Sequence, residues 1–302
     1  ADVVTLIALR ETSTVRMNAP VACTIVANNY LAYARVLARS FAEHHPDGRF
    51  FVLIVDRPDP DLAYEREPFE VVFAQDLGIE HFEHLAFRYS ILELSTAVKP
   101  AFLAYLHTRQ GAQAACYFDP DILITGSLTP LYEMVGRADV VLTPHITQPI
   151  EDAFTPGERD FLLSGIYNLG FLGLSFNDRT RPFLAWWHAR LYRECLHAVD
   201  RGLFVDQKWM DFAPAFLPGA HILREPGYNT AYWNAMHRRL DRAGGTWQVQ
   251  GRPLRFFHFS GLMHDRPEVI SRYQNRLSFP DRADLDTLFA DYRARLVESG
   301  HE

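Results

Sequence analysis

Val21 to Val26 is a six-residue run rich in β-forming residues, and Asn28-Asn29 breaks it. A short apolar run bounded by loop formers reads as a buried strand. Tyr30, Tyr33, Val36, Leu37 and Phe41 then recur at helical spacing, and His44-His45-Pro46-Asp47-Gly48 closes that helix. A second apolar run, Phe50 to Val55, ends at Asp56. Strand, helix and strand in this order form a βαβ unit, which predicts a parallel sheet with a right-handed crossover. The same patterns predict strands around Glu70–Phe73, Cys116–Asp119, Val140–Thr143, Gly170–Leu174 and Phe256–Phe259. They predict helices near Ser95–Leu106 and Pro182–His197, and an amphipathic terminal helix marked by Leu285, Leu288, Phe289, Tyr292 and Leu296. Between Pro144 and Gly170 the pattern is less regular. Residues 1–19, with polar Arg10–Thr14 in the middle, read as an extension or linker. No repeat, low-complexity tract or linker follows residue 20, so 20–302 reads as one α/β domain with a central, mostly parallel sheet.

Composition narrows the function classes. Of 302 residues, 48% are hydrophobic and 13% aromatic, ample for a packed core. Thirty basic residues against 37 acidic ones give a net charge of −7, so the chain lacks the electrostatic footprint of a nucleic-acid binder. Three cysteines, Cys23, Cys116 and Cys195, are too few and too far apart for a zinc site or a disulfide framework. Cys23 and Cys116 lie in strand-like runs and read as buried free thiols, which fits a reducing, cytoplasmic compartment. No apolar run is long enough to span a membrane, and no secretory signal is visible. The start at Ala1-Asp2 rather than at methionine is compatible with a processed or excised piece of something longer.

The chemistry concentrates in five segments. Tyr117-Phe118-Asp119-Pro120-Asp121 puts two carboxylates at the end of a predicted strand. Two hard oxygen donors there suit a divalent cation that shares its shell with a phosphate, although Asp-Pro-Asp is also ordinary turn chemistry. Asn28-Asn29-Tyr30 follows the first strand, and ligands of open α/β sheets bind beyond the carboxyl ends of strands. Tyr30 can stack on a base whose edge Asn29 reads, or the segment is a helix cap with a core aromatic. Asn168 and Gly170 offer an amide and a close backbone approach for a sugar, or a plain turn into a strand. Asp206-Gln207 pairs a carboxylate with an amide, suited to several hydroxyls, or marks a helix N-terminus. His258, between Phe257 and Phe259, is a core histidine unless it converges with Asp119 and Asp121. If it does, the mixed oxygen and nitrogen shell suits Mn2+, with Mg2+ as second choice.

These five segments, in this order, resemble retaining glycosyltransferases of the GT-A fold. The likeness is to family 8 in particular, the group of bacterial lipooligosaccharide galactosyltransferases and glycogenin, and runs from about Val21 to His264. The resemblance implies a metal-dependent hexosyltransferase that takes its sugar from a nucleoside-diphosphate donor, expected to be a UDP-sugar, with retention. In that reading Asp119, Asp121 and His258 hold the metal. Asn28, Asn29, Tyr30, Lys99, Asn168 and Gly170 bind the donor, and Asp206 and Gln207 lie near the anomeric carbon. The family's late lysine, which meets the diphosphate, is absent. Its position holds His264, followed by Asp265-Arg266-Pro267, so His264 or Arg266 is the expected substitute. Ala27 falls where some relatives carry an aspartate. Gly227–Asn234, rich in aromatic and amide residues, is placed near donor or acceptor.

Gln207 is a poor nucleophile, so front-face attack is favoured, with Asp206 as the alternative nucleophile. The implied partners are the nucleotide-sugar donor and a saccharide or glycolipid acceptor, met in the cytoplasm or at the cytoplasmic face of the membrane. Two rivals stand beside this reading: a degenerate sugar-nucleotide-binding module, and an Asp-x-Asp phosphatase. Leu123, where such phosphatases commonly carry Thr or Val, counts against the latter.

Overall fold

The computed structural model describes residues 19–301. The extension expected at 1–19 lies outside the described residues apart from Ala19. The opening βαβ unit is present: β1 (Val21–Val26), α1 (Leu31–His44) and β2 (Arg49–Ile54). β1 and β2 pair in parallel, from Val21 opposite Arg49 to Val26 opposite Ile54. β3 (Glu70–Phe73) adds to β2 in the same sense. Every residue of β1 is buried. A strand covered on both faces needs apolar side chains throughout, which is why these strands read as continuous runs rather than as alternations.

Three helices follow: α2 (Phe82–Arg88), α3 (Ile91–Ala97) and α4 (Lys99–Thr108). The single helix expected over Ser95–Leu106 is therefore two. Ser90 and Glu93 form a capping box that starts α3, and Pro100 in the first turn of α4 marks a new beginning where its missing N–H costs nothing.

β4 (Ala114–Phe118) leads into β5 (Ile122–Ile124), α5 (Thr129–Val135), β6 (Val140–Leu142), α6 (Glu158–Ser164), β7 (Phe171–Ser175) and α7 (Thr180–Glu194). A two-residue pair, β8 (His197–Ala198) and β9 (Leu203–Phe204), precedes α8 (Ala213–Phe216) and β10 (Ala220–Ile222). A small antiparallel sheet of β11 (Leu240–Ala243), β12 (Thr246–Val249) and β13 (Arg252–Pro253) comes before β14 (Phe256–His258) and α9 (Ala283–Glu298).

The main sheet has seven strands in the order β10-β6-β7-β4-β1-β2-β3. β7 runs antiparallel to both its neighbours, and the other pairings are parallel. The chain builds outward from β1 to β3 and then returns to place β4 on the other side of β1. This reversal is the switch point where an α/β sheet opens a crevice at its carboxyl edge.

Side chains on the two faces of the sheet feed separate cores. Cys23, Phe51 and Leu53 join Phe102 of α4 and Trp187 of α7, whereas Ala22 and Val52 join Leu37 and Phe41 of α1. α9 closes a third cluster with Tyr33, Phe257 and Phe259. All three cysteines are buried free thiols. Among the described residues no helix is long and apolar enough to cross a membrane.

Candidate active site

The switch point carries the acidic tripeptide. β4 ends at Phe118, and Asp119 is the first residue beyond it. The Asp119 N–H donates to the Gly170 carbonyl at 2.7 Å, which ties the turn to the start of β7. β5 then pairs antiparallel with β14, with Ile122 opposite His258. The Phe259 N–H donates to the Asp121 carbonyl at 2.8 Å. Strand register thus carries His258 to the carboxylates. Its Nε2 lies 3.0 Å from Asp121 and 3.8 Å from Asp119. One ligand atom from each of the three residues can be chosen so that all lie within 4.8 Å of one another. Two part-exposed carboxylates and a buried imidazole form a donor set that fits Mn2+ or Mg2+.

The three groups are electrostatically linked to one another and to Lys99. Burial pushes the Asp119 carboxyl up, and Asp121 adds to this, while Lys99 and His258 pull it down. Burial lowers the pKa of His258, but the two aspartates outweigh it, and the net direction is upward.

Gly170 is explained by His258. A Cβ at position 170 would meet the imidazole, lying 2.6 Å from Nδ1 and closer still to Cε1. Asn168 holds this corner from within. Its Oδ1 accepts from the Gly170 N–H at 3.1 Å and from Asn229 Nδ2 at 3.0 Å. Its Nδ2 lies 3.3 Å from His145 Nε2 and donates to Gln207 Oε1 at 3.5 Å. Asn168 is therefore a buried hub, and the structure shows no free amide edge there for a sugar. Asn229, with φ at 50°, occupies a left-handed conformation that asparagine tolerates. Trp233 sets its ring edge-on to His258 at 5.0 Å. The Gly227–Asn234 segment thus supports the site from behind.

Asp206 and Gln207 follow β9, and both are buried. Gln207 Oε1 accepts from the Leu169 N–H at 3.0 Å, and its Nε2 donates to the Ser164 carbonyl at 3.0 Å. Lys99, expected as a donor contact, is itself only 1% exposed. Its Nζ pairs with Asp206 at 2.5 Å, donates to the Leu169 carbonyl at 3.1 Å and sits 4.0 Å over the Tyr117 ring. Tyr117 in turn donates its hydroxyl to Asp119 at 2.7 Å. Burial pushes the Asp206 carboxyl up, and Lys99 opposes that shift. One continuous chain of contacts, Asp206–Lys99–Tyr117–Asp119, therefore links the two acidic motifs beneath the site. Tyr117 is the member of this chain to which the sequence assigned no role, because it lies in the continuous apolar run of β4 and reads there as a core aromatic.

The remaining expected donor contacts divide. Tyr30 is 42% exposed and stacks on Tyr33 at 4.9 Å, and Asn29 beside it is exposed. Asn28 is engaged by the loop after β2: its N–H donates to Asp56 at 2.6 Å, and its Oδ1 accepts from Tyr64 at 2.9 Å. His264 lies 2.6 Å from the Tyr33 hydroxyl and stacks on His301, and burial keeps its pKa below the usual value. Its ring is thus already engaged by Tyr33 and His301. Arg266 points to exposed Glu268 at 3.4 Å. Both expected substitutes for the lysine are thus already engaged, His264 by Tyr33 and Arg266 by Glu268. A separate cleft of about 580 Å³ opens between α4 and α7, lined by Tyr105, His107 and Phe176, and none of the site residues faces it.

Comparison with known proteins agrees with this architecture. No protein-family model matches the chain. It is 26% identical to YfnF of Bacillus subtilis (strain 168), an uncharacterised protein, over 252 residues, 79% of this chain and 80% of that one. It is 25% identical to YfnD of the same organism over 245 residues, with 79% and 76% coverage. Among solved structures it is similar to the galactosyltransferase LgtC in complex with donor and acceptor sugar analogues. The TM-score is 0.52 at 16% identity, covering 91% of this chain and 99% of that one. It is also similar to the glycosyltransferase GlyE of Streptococcus pneumoniae TIGR4, with a TM-score of 0.51 at 15% identity, covering 92% of this chain and 62% of that one. At such identities the shared property is the fold, and that fold is the GT-A glycosyltransferase fold.

Proposed function

We propose that the chain is a metal-dependent glycosyltransferase similar to family 8. It would move a hexose from a nucleoside-diphosphate sugar, with a UDP-sugar as first choice, to an acceptor hydroxyl with retention of configuration. The convergence of Asp119, Asp121 and His258 at the carboxyl edge of the switch point carries this reading. A turn or a core histidine would not require three separate strand ends to meet. The ion these residues would hold, Mn2+ or Mg2+, supplies Lewis-acid stabilisation of a departing diphosphate.

The chain's own residues supply positioning. Asp206 is fixed by Lys99, and Gln207 by Ser164 and Leu169, so both hold their places without a substrate. Gln207 is neutral and its amide is already bonded, which argues against a covalent intermediate on it. Front-face attack, with a phosphate oxygen accepting the acceptor's proton, needs no protein nucleophile. Exposed Tyr30 is available to stack on the base. A saccharide or glycolipid acceptor fits this chemistry, and buried free thiols fit a cytoplasmic setting.

The test is release of nucleoside diphosphate from a panel of sugar nucleotides with Mn2+, first without and then with saccharide acceptors. Wild-type turnover that is lost in Asp121→Ala and on chelation is the expected result. Donor binding without turnover across acceptors would instead make the chain a binding module. Phosphate release from simple phosphoesters would make it a phosphatase.

A further inference from the structure

A nucleoside diphosphate beside Asp119 and Asp121 would need a protein cation as well as a metal. The cations expected from the sequence are already engaged: Lys99 by Asp206, His264 by Tyr33 and Arg266 by Glu268. Arg272, which no motif marks, is differently placed. Residues 271–273 lie against the turn that follows His258. The Arg272 N–H donates to the Gly261 carbonyl at 3.0 Å, and the Ser271 hydroxyl donates to the Ser260 carbonyl at 2.8 Å. The Tyr273 ring covers Gly261 so closely that a Cβ there would lie 2.6 Å from it. The same turn is bonded to Asp121 through Phe259.

The guanidinium of Arg272 is exposed, sits 4.9 Å over the Tyr273 ring and donates to the Tyr273 hydroxyl at 2.8 Å. Among the described residues no carboxylate forms an ion pair with it, in a chain that has more acidic than basic residues. Burial raises the phenol pKa values of Tyr30 and Tyr33. Asp121 pushes both further up and Arg272 opposes it, in keeping with the backbone contacts that bring residues 271–273 to the turn after His258. Tyr30 and Tyr273 are large aromatics left 42% and 47% exposed. An arginine fork held by a ring stack, with donors to spare, is suited to phosphate oxygens.

We propose that Arg272 is the diphosphate-binding cation of this site, donating its guanidinium to the phosphate oxygens of the donor beside Asp119 and Asp121. This rests on the sugar-nucleotide reading given above. The experiment titrates UDP, GDP and ADP into Mn2+-loaded wild-type protein, Arg272→Ala and Arg272→Lys by calorimetry, and separately titrates Mn2+ into each nucleotide-free protein.

Loss of a charge-assisted bond predicts affinity for the bound nucleotide lower by about tenfold or more in Arg272→Ala. Arg272→Lys is expected to recover part of it, with Mn2+ affinity and melting temperature unchanged in both variants. Equal nucleotide affinity in wild type and Arg272→Ala would refute Arg272 alone and leave the sugar-nucleotide reading intact. A parallel fall in Mn2+ affinity would mean that Arg272 only props the His258 turn, and would also overturn the assignment. If no nucleoside diphosphate binds the wild type, the reading of the site fails and Arg272 with it.

Discussion

At the scale of single residues, the instructive position is Gly170. Its sequence context, an amide two residues earlier and a strand directly after, suggests close approach to a sugar. The structure gives the glycine a different partner, the imidazole of His258, and gives Asn168 the task of bonding Gly170, Asn229 and Gln207 together. The residue types were legible as site-forming, but their partners were not, because these contacts join segments far apart in the chain. The same limit applied to Lys99, whose burial against Asp206 leaves no local trace in an apolar helix. Gly170→Ala tests the point directly. A methyl group there must push the imidazole off its line to Asp121, while backbone dihedrals at a non-left-handed position tolerate alanine. Mn2+ affinity, read by calorimetry or by the spectrum of free Mn2+, is expected to fall by about tenfold or more, the size of effect seen when support around a metal ligand is lost. An unchanged affinity would detach Gly170 from the metal set.

At the scale of elements, the repeated β-strand signals of the first 120 residues translate well, because β1 is buried at every residue and β2 at all but its first. The irregular stretch after Pro144 does not. It contains α6 and the turns around Asn168, whose form depends on side-chain bonds such as Gly157 N–H to Asp160 at 2.8 Å. One buried carboxylate shows how such bonds join elements. Asp139, at the edge of β6, accepts from Arg179 Nη2 at 2.7 Å, from Asn177 Nδ2 at 2.9 Å and from the Gly219 N–H at 2.9 Å. It thereby ties β6 to the start of α7 and to the turn before β10. The Arg179 hydrogen bond, helped by those from Asn177 and Gly219, holds its pKa below the ordinary carboxylate value despite burial.

A lowered folded-state pKa gives a definite sign. The stabilisation is complete above the unfolded carboxylate value and is lost as pH falls through the lowered folded value. Asp139→Asn is expected to cost about 1–3 kcal/mol at neutral pH, the range for losing charged hydrogen bonds at a buried group. Urea unfolding across acidic pH should show the gap between wild type and variant closing as pH falls. A gap that stays constant to the lowest pH would mean that the ionised form is not the one these bonds select.

At the scale of the whole molecule, a mostly parallel α/β sheet was legible, and Asp119, Asp121 and His258 were legible as candidates that count only if they converge, which the fold then brings about. What the sequence left open was the cation for the diphosphate, because Arg272 reaches the site through a turn that packs on Gly261 rather than through a pattern of its own. The assembled charges lead to one further expectation. Asp119 and Asp121 present negative charge to any diphosphate, and the chain as a whole carries −7. A nucleoside diphosphate should therefore bind poorly until a divalent cation reverses the local sign. Ligands that bind only the folded state raise its stability by mass action, by roughly 2.7 kcal/mol at a concentration one hundred times the dissociation constant. UDP with EDTA is expected to leave the melting temperature unmoved, and Mn2+ alone to raise it slightly. The two together should raise it by several degrees, more than the sum of their separate effects. In Asp121→Ala that excess should vanish, since the ion then has neither its full donor set nor its position beside the phosphate. A shift by UDP that is the same with EDTA as with Mn2+ would separate nucleotide binding from Asp119, Asp121 and His258, and with it the metal-linked reading of this site.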